Sequence, residues 1–98
     1  MKQKIRLFES LNSNTFKLKG TQKDRAIYLI KHLDFKEICG KCSNEQIMLM
    51  ICFYVKSEFL KDYRLRNCKS IFNEYNISEH LLINFLVKLN KYHTDLSS

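Results

Sequence analysis

The stretch that decides the fold is LRNCKSIFNEYNISEHLLINFLVKLNKY, residues 65–92. It reads as a helix, a tight turn and a second helix. Leu65, Ile71 and Phe72 give the first helix its apolar side, and Tyr75 and Ile77 flank a turn at Asn76. Asn is among the few residues that tolerate the left-handed backbone such a turn requires. Ser78 stands where a side-chain cap belongs. The second helix is expected from residue 78 to about 93, with Leu82 and Phe85 pointing back at the first, and residues 94–98 should fray.

Working outward, residues 47–55 read IMLMICFYV, apolar on every side. Ser43 followed by Gln46 is a capping box, so a helix should start at Asn44 and run to about residue 61. A buried strand is the competing reading of the same nine residues; the cap and the KSEFLKD that follows favour the helix. Only a helix at the centre of a small bundle, or one shared with another subunit, buries all its sides.

Residues 21–34, TQKDRAIYLIKHLD, read as an earlier helix whose Thr21 side chain is placed to accept from the Asp24 backbone. Ala26, Ile27, Ile30 and Leu33, with Leu29, form its buried face; Tyr28 and His32 flank it, and His32 reads as a boundary residue rather than a ligand. In the link FKEICGKCS, residues 35–43, Gly40 suits a left-handed helix end. Residues 2–14 fit helical spacing better than a hairpin across SLNSN, and TFKLKG, residues 15–20, alternates as an extended segment does.

With Pro at 0 and Gly at 2, a sheet would lack its usual turn residues. The fold class is therefore all-α, a compact bundle of four to five helices with the helices at 44–61 and 78–93 at its centre. Ninety-eight residues suit one domain. Within it, residues 1–20 form a basic, weakly defined start, 21–93 a helical core and 94–98 a frayed tail.

The formal net charge is +7. Residues 1–25 hold Lys2, Lys4, Arg6, Lys17, Lys19, Lys23 and Arg25 against Glu9 and Asp24, a balance of +5. Residues 56–69 hold Lys56, Lys61, Arg64, Arg66 and Lys69 against Glu58 and Asp62, a balance of +3. Such clusters are the electrostatic footprint of a polyanion partner, although a Lys-rich soluble surface gives the same count. The basic start runs into LNSNTFKLKG rather than an apolar stretch, so no secretory signal is read. The nine-residue apolar run is too short for a bilayer. Four cysteines in that setting imply an intracellular, cytoplasmic protein with thiols rather than disulfides. Cys39 and Cys42 are spaced to chelate zinc but lack a second pair, so they read chiefly as a helix-end turn; Cys52 reads as a small core residue.

Residues 68–87 resemble the helix-turn-helix superfamily of DNA-binding proteins. Ile71, Tyr75, Ile77, Leu82 and Phe85 match its five core positions when Asn76 is the turn. Phe72 departs from the pattern, which places a small residue where the helices approach. The resemblance implies that Ser78, Glu79, His80, Ile83, Asn84 and Val87 face a DNA groove, with His80 and Asn84 as base-edge partners. Phosphate contacts would come from Lys56, Lys61, Arg64, Arg66, Lys69, Lys88 and Lys91, and from Lys17, Lys19, Lys23 and Arg25 in the basic start.

No nucleophile, general base or phosphate-cradling loop is spaced for catalysis, so the chain is read as a non-enzyme needing no cofactor or metal. The function expected is nucleic-acid binding, DNA before RNA, as a regulator or accessory factor of transcription or replication. Tyr54, Tyr63, Tyr75 and Tyr92 offer rings that could stack on single-stranded bases. The alternative is a protein-interaction module, or a homodimer, whose apolar helices dock on a partner.

Overall fold

Ser43 starts the element on which the rest of the chain packs. In the computed structural model, which describes the backbone of residues 2–97 and the side chains of residues 3–91, the Ser43 hydroxyl accepts from the Gln46 N–H at 3.1 Å. The Gln46 carboxamide oxygen accepts from the Ser43 N–H at 3.0 Å, which completes the capping box. The helix so begun spans Asn44–Phe59, and every residue from 47 to 53 is buried, as is Val55. It ends two residues before the position expected, at a point where Phe59 and Leu60 are both exposed.

Around it the chain forms α1 (Lys2–Asn14), α2 (Thr21–His32), α3 (Phe35–Ile38), α4 (Asn44–Phe59), α5 (Lys69–Glu74) and α6 (Glu79–Ser97), with a 3₁₀ turn at Leu65–Asn67. The described residues contain no strand, and the architecture is an all-α bundle. Helices α1, α2 and α6 each lie against α4, and α3 lies against α6. Four long helices carry the packing, and the two short ones turn the chain. Helix α6 continues through Ser97 instead of stopping near residue 93, so the frayed tail expected at 94–97 is helical; Ser98 lies outside the described residues.

Three links depart from the sequence reading for identifiable reasons. Thr21 is not the cap of α2: Gly20 holds that position at φ 60°, and its carbonyl accepts from the Asp24 N–H at 3.0 Å. Gly40 is not left-handed; the positive-φ residues among those described are Lys17, Gly20 and Asn76. What Gly40 supplies is closeness, since a Cβ there would stand 3.3 Å from the Lys36 carbonyl oxygen. The segment 15–20 is a folded link and not a straight strand, although Phe16 and Leu18 point inward and Lys17 and Lys19 outward as alternation requires.

That link is held by a buried polar side chain. Asn12 is 5% exposed; its carboxamide nitrogen donates to the Leu18 carbonyl at 3.0 Å and its oxygen accepts from the Leu18 N–H at 2.7 Å. Both ends of the amide are thus satisfied, which burial demands. Phe16, placed by this bridge, lies 6.2 Å from the Phe72 ring and 6.4 Å from Tyr63, while Phe53 lies 5.8 Å from each. Four rings therefore tie the 15–20 link, α4, the 60–64 loop and α5 together.

Candidate nucleic-acid interface

The helix–turn–helix segment folds around Asn76, whose φ is 59°. Ile77 donates its N–H to the Phe72 carbonyl at 2.8 Å and Asn76 donates to Asn73 at 3.3 Å. These are the two bonds by which a left-handed residue closes a helix end, and Phe72 and Ile77 are both buried beside them. The Gln46 side chain adds a third tie, donating to the Tyr75 carbonyl at 3.0 Å. The first turn of α6 is then capped by Ser78, whose hydroxyl accepts from the Leu81 N–H at 3.1 Å.

The Phe72 ring turns into the aromatic cluster with Phe16 and Phe53. The buried face of α6 is made by Leu82, Phe85 and Leu89, with Leu81 and Leu86 half-buried beside them. Helix α6 is therefore amphipathic, whereas α4 is apolar along nearly its whole middle.

The outward half of α6 consists of Glu79, His80, Ile83, Asn84, Val87, Lys88, Asn90 and Lys91, all exposed, with Ser78 exposed just before it. At about 3.6 residues per turn this arc is centred on Val87. Val87 is 64% exposed and Ile83 50%. Asn84 and His80 contact one another, carboxamide nitrogen to Nε2 at 3.2 Å. Beside this arc runs a cleft of about 490 Å³ lined by Asn84 and Lys88 on α6, by Ile38 at the end of α3, and by Cys39, Gly40 and Lys41 on the turn between α3 and α4. Sequence spacing missed Lys41, because its place beside Lys88 arises from the packing of α3 on α6.

Two groups of the cations expected at the interface are exposed. Lys61, Arg64, Arg66 and Lys69 are exposed along the connector that leads into α5, though the Arg64 guanidinium bends back to the Lys61 carbonyl at 2.8 Å. Lys17 and Lys19 are exposed on the link whose Phe16 meets Tyr63 and Phe72, so this part of the basic start lies beside the 60–72 segment. Three others serve the fold. Lys56 donates to the Phe16 carbonyl at 3.3 Å and sits 5.2 Å from the Tyr63 ring centre; Lys23 pairs with Glu9 at 3.5 Å and Arg25 with Glu58 at 3.7 Å. From residue 64 to 91, Arg64, Arg66, Lys69, Lys88 and Lys91 stand against Glu74 and Glu79, a balance of +3.

The cysteines differ from the thiols expected. Cys39 and Cys42 form a disulfide across a turn with Cα atoms 5.5 Å apart, helped by the Cys42 N–H donating to the Cys39 carbonyl. Cys52 and Cys68 are buried free thiols; burial pushes Cys52 up to about 12 and raises Cys68 above its ordinary value. Among the described residues no group of three or more His, Cys, Asp or Glu is placed to hold a metal ion, and no helix is long and apolar enough to cross a membrane. Of the tyrosines, Tyr63 is taken up by the aromatic cluster, where burial raises its hydroxyl above the usual range; the Tyr92 side chain lies outside those described. His32 is exposed, its ring 4.3 Å from that of Tyr28. Comparison of the chain with protein-family models, curated proteins and solved structures finds no match.

Proposed function

We propose that the chain binds duplex DNA, with the outward half of α6 turned to the major groove and exposed cations on either side of it engaging phosphates. The observation that carries the reading is the exposed arc of α6 itself. A helix whose buried face is used against α3 and α4 still offers an exposed surface wide enough for a groove, preceded by a capped turn of the helix-turn-helix kind. Arg66 lies in the 3₁₀ turn before α5 and Lys69 starts α5, while Lys88 and Lys91 lie on α6 beyond the groove-facing residues. A regulator or accessory factor of transcription or replication is the role such a module would serve.

The test is binding to labelled duplex DNA, single-stranded DNA and RNA of random sequence at two salt concentrations. Duplex DNA should bind best, with log affinity falling against log salt at a slope of about 0.9 per phosphate neutralised. Replacing Arg66 and Lys69 together by Glu should weaken binding by at least an order of magnitude without changing the helical signal. Equal binding by the charge-reversed protein sinks the assignment.

A second reading rests on Ile83 and Val87, which leave an aliphatic ridge in water at the middle of the same arc. A second copy of the chain laid across it would cover both. Sedimentation at several concentrations separates the two: a monomer that binds DNA supports the first reading, and a dimer lost in Val87→Asp supports the second.

A further inference from the structure

The arc of α6 has a chemistry that selects among base pairs, and from it we infer that the protein prefers A·T steps, with Asn84 taking an adenine edge and Ile83 and Val87 the methyl groups of thymine. This inference rests on the DNA-binding reading above.

Asn84 is prepared for an adenine. Its nitrogen already faces His80 Nε2 at 3.2 Å, one turn back along the helix. An amide nitrogen carries two hydrogens, so with the His80 proton on Nδ1, donating one to Nε2 leaves the other, together with the amide oxygen, to form a pair of bonds. Adenine offers the matching pair in the major groove, an acceptor at N7 and a donor at N6. The bond to His80 meanwhile fixes the amide plane, so less rotational freedom is lost on contact.

The aliphatic neighbours point to the partner base. Ile83 and Val87 are one turn apart and lie at the centre of the arc, half and nearly two-thirds exposed. The thymine C5 methyl is the apolar group that base edges present in the major groove, and contact with it removes this surface from water. Guanine is best recognised by Arg or Lys, and the first cation along α6 is Lys88, one turn after Asn84. Glu79, which favours cytosine, lies on the far side of Ile83 from Asn84.

The experiment uses the full chain and synthetic duplexes of one length at fixed low salt. A·T-rich duplex should bind about tenfold tighter than G·C-rich duplex. Deoxyuridine in place of thymidine, which removes only the methyl group, should weaken binding about threefold or more, and 7-deazaadenine in place of adenine should do likewise by removing N7. The variants separate the two contacts: Asn84→Ala should lose sensitivity to 7-deazaadenine and keep sensitivity to deoxyuridine, and Val87→Ser with Ile83→Ser should show the reverse. All three positions are exposed, so circular dichroism should be unchanged. Equal affinity for thymine and uracil duplexes, or for the two base compositions, overturns this inference and leaves the DNA-binding reading standing. Failure of every duplex to bind at low salt overturns both.

Discussion

The backbone N–H of Ile77 meets the carbonyl of Phe72 at 2.8 Å, across a residue, Asn76, that the chain holds at φ 59°. This bond sets the direction in which α6 leaves α5, and hence which side of α6 is left in water. A left-handed conformation costs an ordinary L-residue about 1 kcal/mol relative to Asn or Gly. Asn76→Gly should therefore keep stability within about 0.5 kcal/mol, whereas Asn76→Ala should lose about 1 kcal/mol, or about 4–8 °C in melting temperature for a chain of this size. Thermal melts of the two variants check it, and an Ala variant as stable as the Gly variant would show that the turn carries no such demand.

Local chemistry of that kind is what the sequence displayed most clearly. The Ser43–Gln46 box, the Ser78 cap and the Asn76 turn each depend on residues within five positions of one another, and all three are found where spacing places them. The burial of α4 was equally readable, because a run apolar on all sides has one place to go. Contacts between distant segments were not. Nothing local brings Phe16 to Phe72, Gln46 to Tyr75 or Lys41 to the side of Lys88. Gly40 was misread because a glycine before a polar turn suits either a positive φ or a close backbone approach, and the Lys36 carbonyl decides for the second. The candidate interface was thus half legible: the outward residues of α6 follow from helical period, while the approach of the 15–20 link to the 60–72 segment depends on a tertiary aromatic contact.

Asn12 is the polar residue on which the 15–20 link depends. Asn12→Ala would strand the Leu18 N–H and carbonyl without their partner and should cost about 2–3 kcal/mol. Asn12→Asp retains an acceptor for the Leu18 N–H but sets a carboxylate oxygen against the Leu18 carbonyl. A protonated carboxyl can donate there instead. The Asp variant should accordingly recover stability as pH falls through the carboxyl range, measured by denaturant titration at pH 7 and pH 4 relative to the wild-type protein, and a constant difference between the two would argue against the bridge.

Alkaline pH should unfold the protein through its buried acids. The Cys52 thiol, ordinarily near 9.0, is pushed up to about 12 by burial, so between those values the unfolded chain has released a proton that the native chain still holds. Stability is then complete below pH 9 and falls as pH rises toward 12, by at most about 1.4 kcal/mol per pH unit for this group. Cys68, Tyr54 and Tyr63 are raised in the same direction, so their contributions fall over the alkaline range as well. Cys52→Ala should flatten the dependence on pH. The same burial predicts that iodoacetamide leaves Cys52 unmodified in the native protein at pH 8 and reaches it in denaturant, with mass spectrometry as the readout.

Charge alone does not make a lysine part of the interface, and two sets of lysines separate the possibilities. Lys17 and Lys19 are exposed on the link whose Phe16 ring packs on Tyr63 and Phe72, beside the connector that carries Arg64, Arg66 and Lys69. If both lie over phosphates, Lys17→Ala with Lys19→Ala should reduce the slope of log affinity against log salt by about 1.8 and leave thermal stability unchanged. Lys56 stands in the opposite position, donating to the Phe16 carbonyl and lying over Tyr63. Lys56→Met keeps most of its packing but gives up the bond and the ring contact, which should cost about 1 kcal/mol of stability with the salt slope of DNA binding retained. The reverse pattern, a slope that responds to Lys56 and ignores Lys17 and Lys19, would take those two lysines out of the phosphate track.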